Sequence, residues 1–128
     1  MFSSTSLNGT AIDTGGIESP MVVKFFASDC AACSRTLPAA QGVYSKHPDV
    51  VVIGVSEDVG ASEARRVVSK YGLRFPVIFD ADNSIARSFD VEQPPMTFVV
   101  DKHARIRWVG GANLTEETLL AAVEAIDE

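Results

Sequence analysis

Cys30 and Cys33, separated by Ala31-Ala32, are the only thiols in the 128-residue chain and the side chains best suited to chemistry. A pair at i and i+3 lies on one side of a helix's first turn, close enough for reversible disulfide closure if the first cysteine is at the helix N-terminus. Unpaired N–H groups and the positive dipole end stabilise a thiolate there, raising the fraction able to attack a disulfide at neutral pH. Cys30 is therefore the expected nucleophile. Cys33, deeper in the helix, is the expected resolving thiol, attacking Cys30 in a mixed disulfide to release the reduced partner, or the steps run in reverse. Such a short loop stabilises a fold little, which argues for redox work over stapling. Two cysteines cannot complete a four-thiolate zinc site, and His47 and His103 fall in expected turns, so no metal ligand and no histidine role is assigned.

The elements that must hold this dithiol follow from local pattern. Leu7 to Ile12, with Asn8-Gly9, reads as a short hairpin or edge segment, and Asp13 to Pro20, with Gly15-Gly16, as a turn-rich stretch. Met21 to Ala27 is an apolar strand interrupted only by Lys24, and Ser28-Asp29 breaks it. A helix is expected from Cys30 to about Tyr44, kinked at Pro38. The dithiol thus falls where a strand turns into a helix. After the turn His47-Pro48-Asp49 comes a second buried strand, Val50 to Val55, completing a βαβ unit. Ala61 to Tyr71 is an amphipathic helix ended by Gly72, Phe75 to Phe79 a short strand, and Asn83 to Phe89 a short helix capped by Asp82 or Asn83. Thr97 to Val100 and Ile106 to Val109 form an expected hairpin around Asp101-Lys102-His103-Ala104. A closing helix runs from about Thr115 to Ile126, with Glu116 and Glu117 at its dipole-favoured end. The order implies an α/β fold on a mixed, mostly parallel sheet, as one domain over 1–128.

Seventeen acidic against eleven basic residues give a net charge of -6 and a pI near 4.8, which excludes the basic footprint of a nucleic-acid or anionic-membrane binder. No run approaches the ~20 apolar residues of a membrane-spanning helix. Met1 to Ser6 shows no basic-then-apolar pattern, so no signal peptide is visible, and a processed chain would look the same.

The run Val22-Val23-Lys24-Phe25-Phe26-Ala27-Ser28-Asp29-Cys30-Ala31-Ala32-Cys33, with Pro38 beyond it, resembles the active-site strand and helix of the thioredoxin superfamily. Val91-Glu92-Gln93-Pro94-Pro95-Met96-Thr97-Phe98-Val99-Val100-Asp101 looks like that superfamily's cis-proline segment, with Pro95 at the cis position, and Gly110-Gly111 fits before the last helix. The stretch Ala61 to Phe79, including Tyr71-Gly72-Leu73-Arg74-Phe75-Pro76-Val77, is similar to the insertion of TlpA/ResA-like thiol-disulfide oxidoreductases. The resemblance implies a thioredoxin-like fold, a central mixed sheet flanked by helices with an inserted αβ element at about 61–79. It also implies substrate docking at Pro94, Pro95 and Met96, where backbone groups pair with a bound polypeptide. Pro94 offers only its C=O, lacking the donor usual in the family.

Departures cluster at the dithiol. Asp29 stands where Trp is usual and would by itself raise the Cys30 pKa. Lys24 occupies the position of the buried carboxylate that moves the proton of the second cysteine in thioredoxins proper. Lys24 either stabilises a thiolate or accepts a proton, or it snorkels to solvent from a strand end, the last being the expected reading. Phe26 replaces a second Trp as a packing change. Ala31-Ala32 is neither the Gly-Pro of thioredoxins nor the Pro-His of strong oxidants, so the potential is not fixed.

The resemblance implies a monomeric oxidoreductase that needs no cofactor and acts as a periplasmic or otherwise extracytoplasmic reductant, with a cytoplasmic location as the alternative. Its electrons would come from an upstream thiol reductase and pass to an apocytochrome or secreted protein. Two alternatives stand beside it. A peroxiredoxin-like peroxidase needs Pro-x-x-x-Thr-x-x-Cys, whereas Val23 and Ala27 fill those positions before Cys30. The other is a thiol-docking or copper-delivering module on this scaffold; copper chaperones of that fold use a wider cysteine spacing and a later histidine, both of which Cys30-x-x-Cys33 lacks.

Overall fold

The computed structural model describes residues 2–17 and 19–126. Met1, Glu18, Asp127 and Glu128, which belong to the expected N-terminal segment, the turn-rich stretch and the end of the expected domain, lie outside the described residues. In chain order the elements are β1 (Ser3–Thr5), β2 (Ala11–Asp13), β3 (Met21–Phe26), α1 (Cys33–Lys46), β4 (Val51–Ser56), α2 (Ala61–Tyr71), β5 (Val77–Phe79), α3 (Ser84–Ser88), β6 (Met96–Val100), β7 (Ile106–Gly110) and α4 (Glu116–Ala125).

The main sheet has the order β5-β4-β3-β6-β7, and β1 pairs with β2 as a separate hairpin. β3 pairs parallel with β4, and β4 with β5, whereas β6 runs antiparallel to both β3 and β7. The sheet is therefore evenly mixed and not mostly parallel, because β6 and β7 are joined by a tight hairpin that reverses direction. In that turn the Asp101 carboxylate accepts the backbone N–H groups of His103 and Arg105. The N-terminal hairpin begins earlier than Leu7, its strands lying on either side of the Asn8-Gly9 turn.

β3 is the central strand, and its alternating side chains build two cores. Val22 and Phe26 pack with Cys33, Leu37 and Val43 of α1 and Leu119 and Val123 of α4. Met21, Val23 and Phe25 pack on the other face with Ile53, Ile78, Ile85 and Phe98. Each fully buried Leu or Phe contributes about 1.5–3 kcal/mol of transfer free energy. At the lysine's level, Gly54 is required by close packing: a Cβ there would lie 2.8 Å from Phe75 Cε1 and 3.2 Å from Phe26 Cε1.

Helix ends follow local chemistry. α2 stops at Gly72, whose φ of +60° is the left-handed conformation glycine adopts without strain. Thr115 caps α4, accepting the Thr118 N–H at 3.1 Å. α3 is capped by neither expected residue's side chain as its main anchor: the buried Asp80 carboxylate accepts Ile85 N–H at 3.2 Å and Ala86 N–H at 2.9 Å. Asp82 adds a bond from Ser84 N–H, while Asn83 gives no side-chain cap.

Candidate active site

Both cysteines lie just past the C-terminal end of β3, and they are joined as a disulfide with Cα atoms 5.4 Å apart. α1 begins at Cys33, not at Cys30. Cys30 N–H donates to Ala27 O at 3.2 Å, and the N–H groups of Cys33, Ser34 and Arg35 donate three residues back, to Cys30, Ala31 and Ala32. The chain thus enters the helix through tight turns, and Cys33 is the first helical residue. Exposure separates the two thiols all the same. Cys33 is 2% exposed, within the α1 core, whereas Cys30 is half-buried at its edge.

The turn carrying Cys30 is pinned from β4. The buried Asp58 carboxylate accepts Ser28 N–H at 2.7 Å and Ser56 Oγ–H at 2.8 Å, while Glu57 N–H donates to Phe26 O. Sequence reading missed Asp58, since an acidic residue after a strand carries no local mark of a partner thirty positions away. Glu57 is half-buried, and its carboxyl is pushed up first by burial and then by the charge of Asp80. Asp29 is exposed in the turn beside Cys30.

Met96 opposes Phe25 at the start of β6, so Pro94-Pro95 stands at the same end of the sheet as the dithiol. The Pro94–Pro95 bond is cis. The β6–β7 register begins at Thr97 opposite Gly110, which places Met96, Pro95 and Pro94 beyond the last β7 partner.

Lys24 does not snorkel. It is 0% exposed, because a central strand covered by α1 gives its side chain no route to water. Burial alone lowers its pKa from 10.5 to about 7. Its Nζ has no hydrogen-bond partner among the described residues. Phe26 is fully buried in the cluster that holds Cys33, as a packing residue.

The sequence model of the AhpC/TSA family matches residues 2–109. The chain belongs to that family. Curated relatives include thiol-disulfide oxidoreductase ResA of Halalkalibacterium halodurans, 25% identical over 123 residues that cover 94% of this chain and 70% of the relative. Another is the soluble secreted antigen MPT53 of Mycobacterium tuberculosis, 33% identical over 76% of this chain and 57% of its own length. The chain thus spans between 57% and 70% of these two relatives. Among solved structures, dsbF of MTB aligns with a TM-score of 0.88 and 28% identity over 98% of this chain and 94% of that one. A secreted Mycobacterium tuberculosis disulfide oxidoreductase, described as homologous to E. coli DsbE, aligns with a TM-score of 0.86 and 24% identity over 97% of this chain and 95% of its own. These matches make the chain a TlpA/ResA-like member of the thioredoxin superfamily, with the fold expected from its motifs.

Proposed function

We propose that this protein, a thiol-disulfide oxidoreductase of the TlpA/ResA-like type, works as a reductant of protein disulfides outside the cytoplasm. The observation that carries the reading is the Cys30–Cys33 pair, able to close as a disulfide, with one sulfur at the edge of the core and the other inside it. The half-buried Cys30 attacks a client disulfide as thiolate, forming a mixed disulfide and expelling one client sulfur. Cys33, held one turn away, then attacks Cys30 Sγ, closing the intramolecular disulfide and releasing the second client sulfur as thiolate. An upstream thiol reductase reopens the pair. One thioredoxin-like domain over 1–128 suffices for this cycle.

Clients dock along Pro94, Pro95 and Met96, where the Pro94 carbonyl accepts from a client N–H. Support for an extracytoplasmic place comes from relatives whose names describe secreted proteins. Among the described residues no helix is long and apolar enough to cross a membrane. The peroxidase reading lacks its motif, Val23 being fully buried in the opposite core.

The test is the redox equilibrium of the pair in graded glutathione or dithiothreitol buffers, read by alkylation mass shift, with Cys33→Ala run alongside. The expected result is a reversible intramolecular disulfide at a potential near or below about -250 mV, with mixed disulfides accumulating on Cys33→Ala. A potential near about -120 mV would reverse the direction of electron flow. No interconversion at any poise would remove the oxidoreductase reading.

A further inference from the structure

Lys24 Nζ, Thr97 Oγ1 and Thr36 Oγ1 are buried polar atoms with no hydrogen-bond partner among the described residues. All three residues have 0% exposure. Lys24 is the register partner of Thr97 on β6 and of Gly54 on β4, so Lys24 and Thr97 share one face of the sheet. Their same-face neighbours Val22, Phe26 and Val99 belong to the cluster containing Cys33, which identifies that face as the one α1 covers. Thr36 lies on the buried side of α1, one turn after Cys33. Three unpaired polar groups and the dithiol therefore border one buried layer.

Leaving an amine unpaired in such a layer costs free energy, and structural needs alone would place a methionine or leucine here. The ionisable groups around this layer are few. α1 presents Cys33, with Cys30 in the turn before it, while Gly54 of β4 and Thr97 of β6 do not titrate. Of the carboxylates at this end of the sheet, Asp29, Asp82 and Glu92 are exposed, while Glu57, Asp58 and Asp80 follow β4 and β5 and are at least half-buried. Asp58 is already bonded to Ser28 and Ser56, and Asp80 to Ile85 and Ala86. Glu57, half-buried past the end of β4, has its Oε2 without a partner among the described residues and its carboxyl pushed up by burial and Asp80. It stands outside the face that Lys24 and Thr97 share, where the group that gains charge on reduction is the dithiol.

We propose that Lys24 is a redox-linked proton site, a neutral amine beneath the Cys30–Cys33 disulfide that becomes the ammonium counter-ion of the Cys30 thiolate when the pair is reduced. The inference rests on the oxidoreductase reading and adds to it a charge-balanced reduced state. Reduction by a dithiol breaks the Cys30–Cys33 bond and forms the donor's own disulfide, passing two electrons and two protons. Cys33 keeps one proton as thiol and Lys24 takes the other, leaving Cys30 as thiolate, so the layer's net charge does not change. Burial makes the amine neutral above about pH 7 in the oxidised protein, which leaves it free to take that proton. A new negative charge in low dielectric then favours the ammonium. The hydroxyls of Thr36 and Thr97, each both donor and acceptor, line the same layer.

The test compares wild type with Lys24→Met, an apolar side chain of similar length, in equilibrium with dithiothreitol from pH 7.5 to 8.5. With Lys24 present the protein takes up both of the donor's protons, and the equilibrium constant does not change with pH. Without it Cys30 loses its counter-ion and its pKa rises toward the ordinary thiol value of about 8.5, so the alkylation rate of the reduced variant climbs about fivefold from pH 7.5 to 8.5 while that of reduced wild type stays level. A variant alkylation profile as level as that of wild type overturns the proposal while leaving the oxidoreductase reading intact. Failure of wild type to interconvert with dithiothreitol removes both. Nitrogen NMR of Lys24 Nζ at pH 8, which needs no variant, should show an amine in the oxidised protein and an ammonium in the reduced one. An unchanged resonance on reduction equally overturns the proposal.

Discussion

At the scale of single residues Lys24 carries a burial cost without a partner among the described residues, and its sign with pH can be worked out. Its pKa is about 7 folded and 10.5 in its ordinary state, so between those values the unfolded chain binds more protons than the oxidised native protein. Stability therefore rises with pH through that window, and the full cost, on the order of several kcal/mol, is present below about pH 7. Lys24→Met should stabilise the oxidised protein most at pH 6 and progressively less toward pH 9, as read by urea unfolding. A gap that does not change with pH would show that the buried amine is not the cause. The sequence marked this lysine as the one break in an apolar run, and the same mark suits a strand-end side chain reaching water. Only the strand order, with β4 and β6 on either side of β3, excludes that route. Thr36 and Thr97 carried no mark at all, since a lone threonine on a helix or in a strand is ordinary.

At the scale of elements, Asp80 joins two pieces that the sequence presents as separate. It follows β5 and caps α3 through two backbone N–H groups, while its charge helps push up the Glu57 carboxyl. Asp80→Ala should destabilise the protein by about 1–2 kcal/mol, as expected for a lost cap. It should also lower the Glu57 pKa, observable by carboxyl NMR titration. Unchanged stability would mean that water or Asp82 replaces the cap without loss. Helix α2, the β6–β7 hairpin and α4 were legible because each carries its own punctuation: Gly72, the turn at Asp101, and Thr115. The start of α1 was not, and neither was the main anchor of α3, because distant side chains decide them. Asp58 holds Ser28 from the end of the neighbouring strand, thirty positions on, and Asp80 reaches five and six residues ahead. The dithiol and the proline segment were legible as motifs, whereas the carboxylate anchoring the Cys30 turn was not.

At the scale of the whole molecule the net charge of -6 is unevenly placed along the strand direction. Asp29 follows β3, Glu57 and Asp58 follow β4, Asp80 and Asp82 follow β5, and Glu92 precedes β6, so all six fall in loops at the dithiol end. The loops at the opposite end hold the exposed cations Arg74 before β5 and Lys102 between β6 and β7, while Arg105 pairs with Asp101, Lys46 with Glu116, and Asp49 precedes β4. Arg35, on the first turn of α1, is the exposed cation nearest in sequence to Cys33. A client disulfide approaching Cys30 therefore meets a negative field, which concentrates cationic segments and repels anionic ones. Disulfide peptides flanked by lysine or arginine should be reduced about tenfold faster at low ionic strength than the same peptides flanked by aspartate or glutamate. Near 1 M salt, where the screening length falls to about 3 Å, the two rates should converge. Glu92→Gln combined with Asp82→Asn should narrow the low-salt difference without altering the redox equilibrium of the dithiol, because neither residue bears on the buried layer that Lys24 shares with Cys33. Equal rates for both peptides at low salt would place client choice in the Pro94-Pro95-Met96 backbone contacts and not in the field.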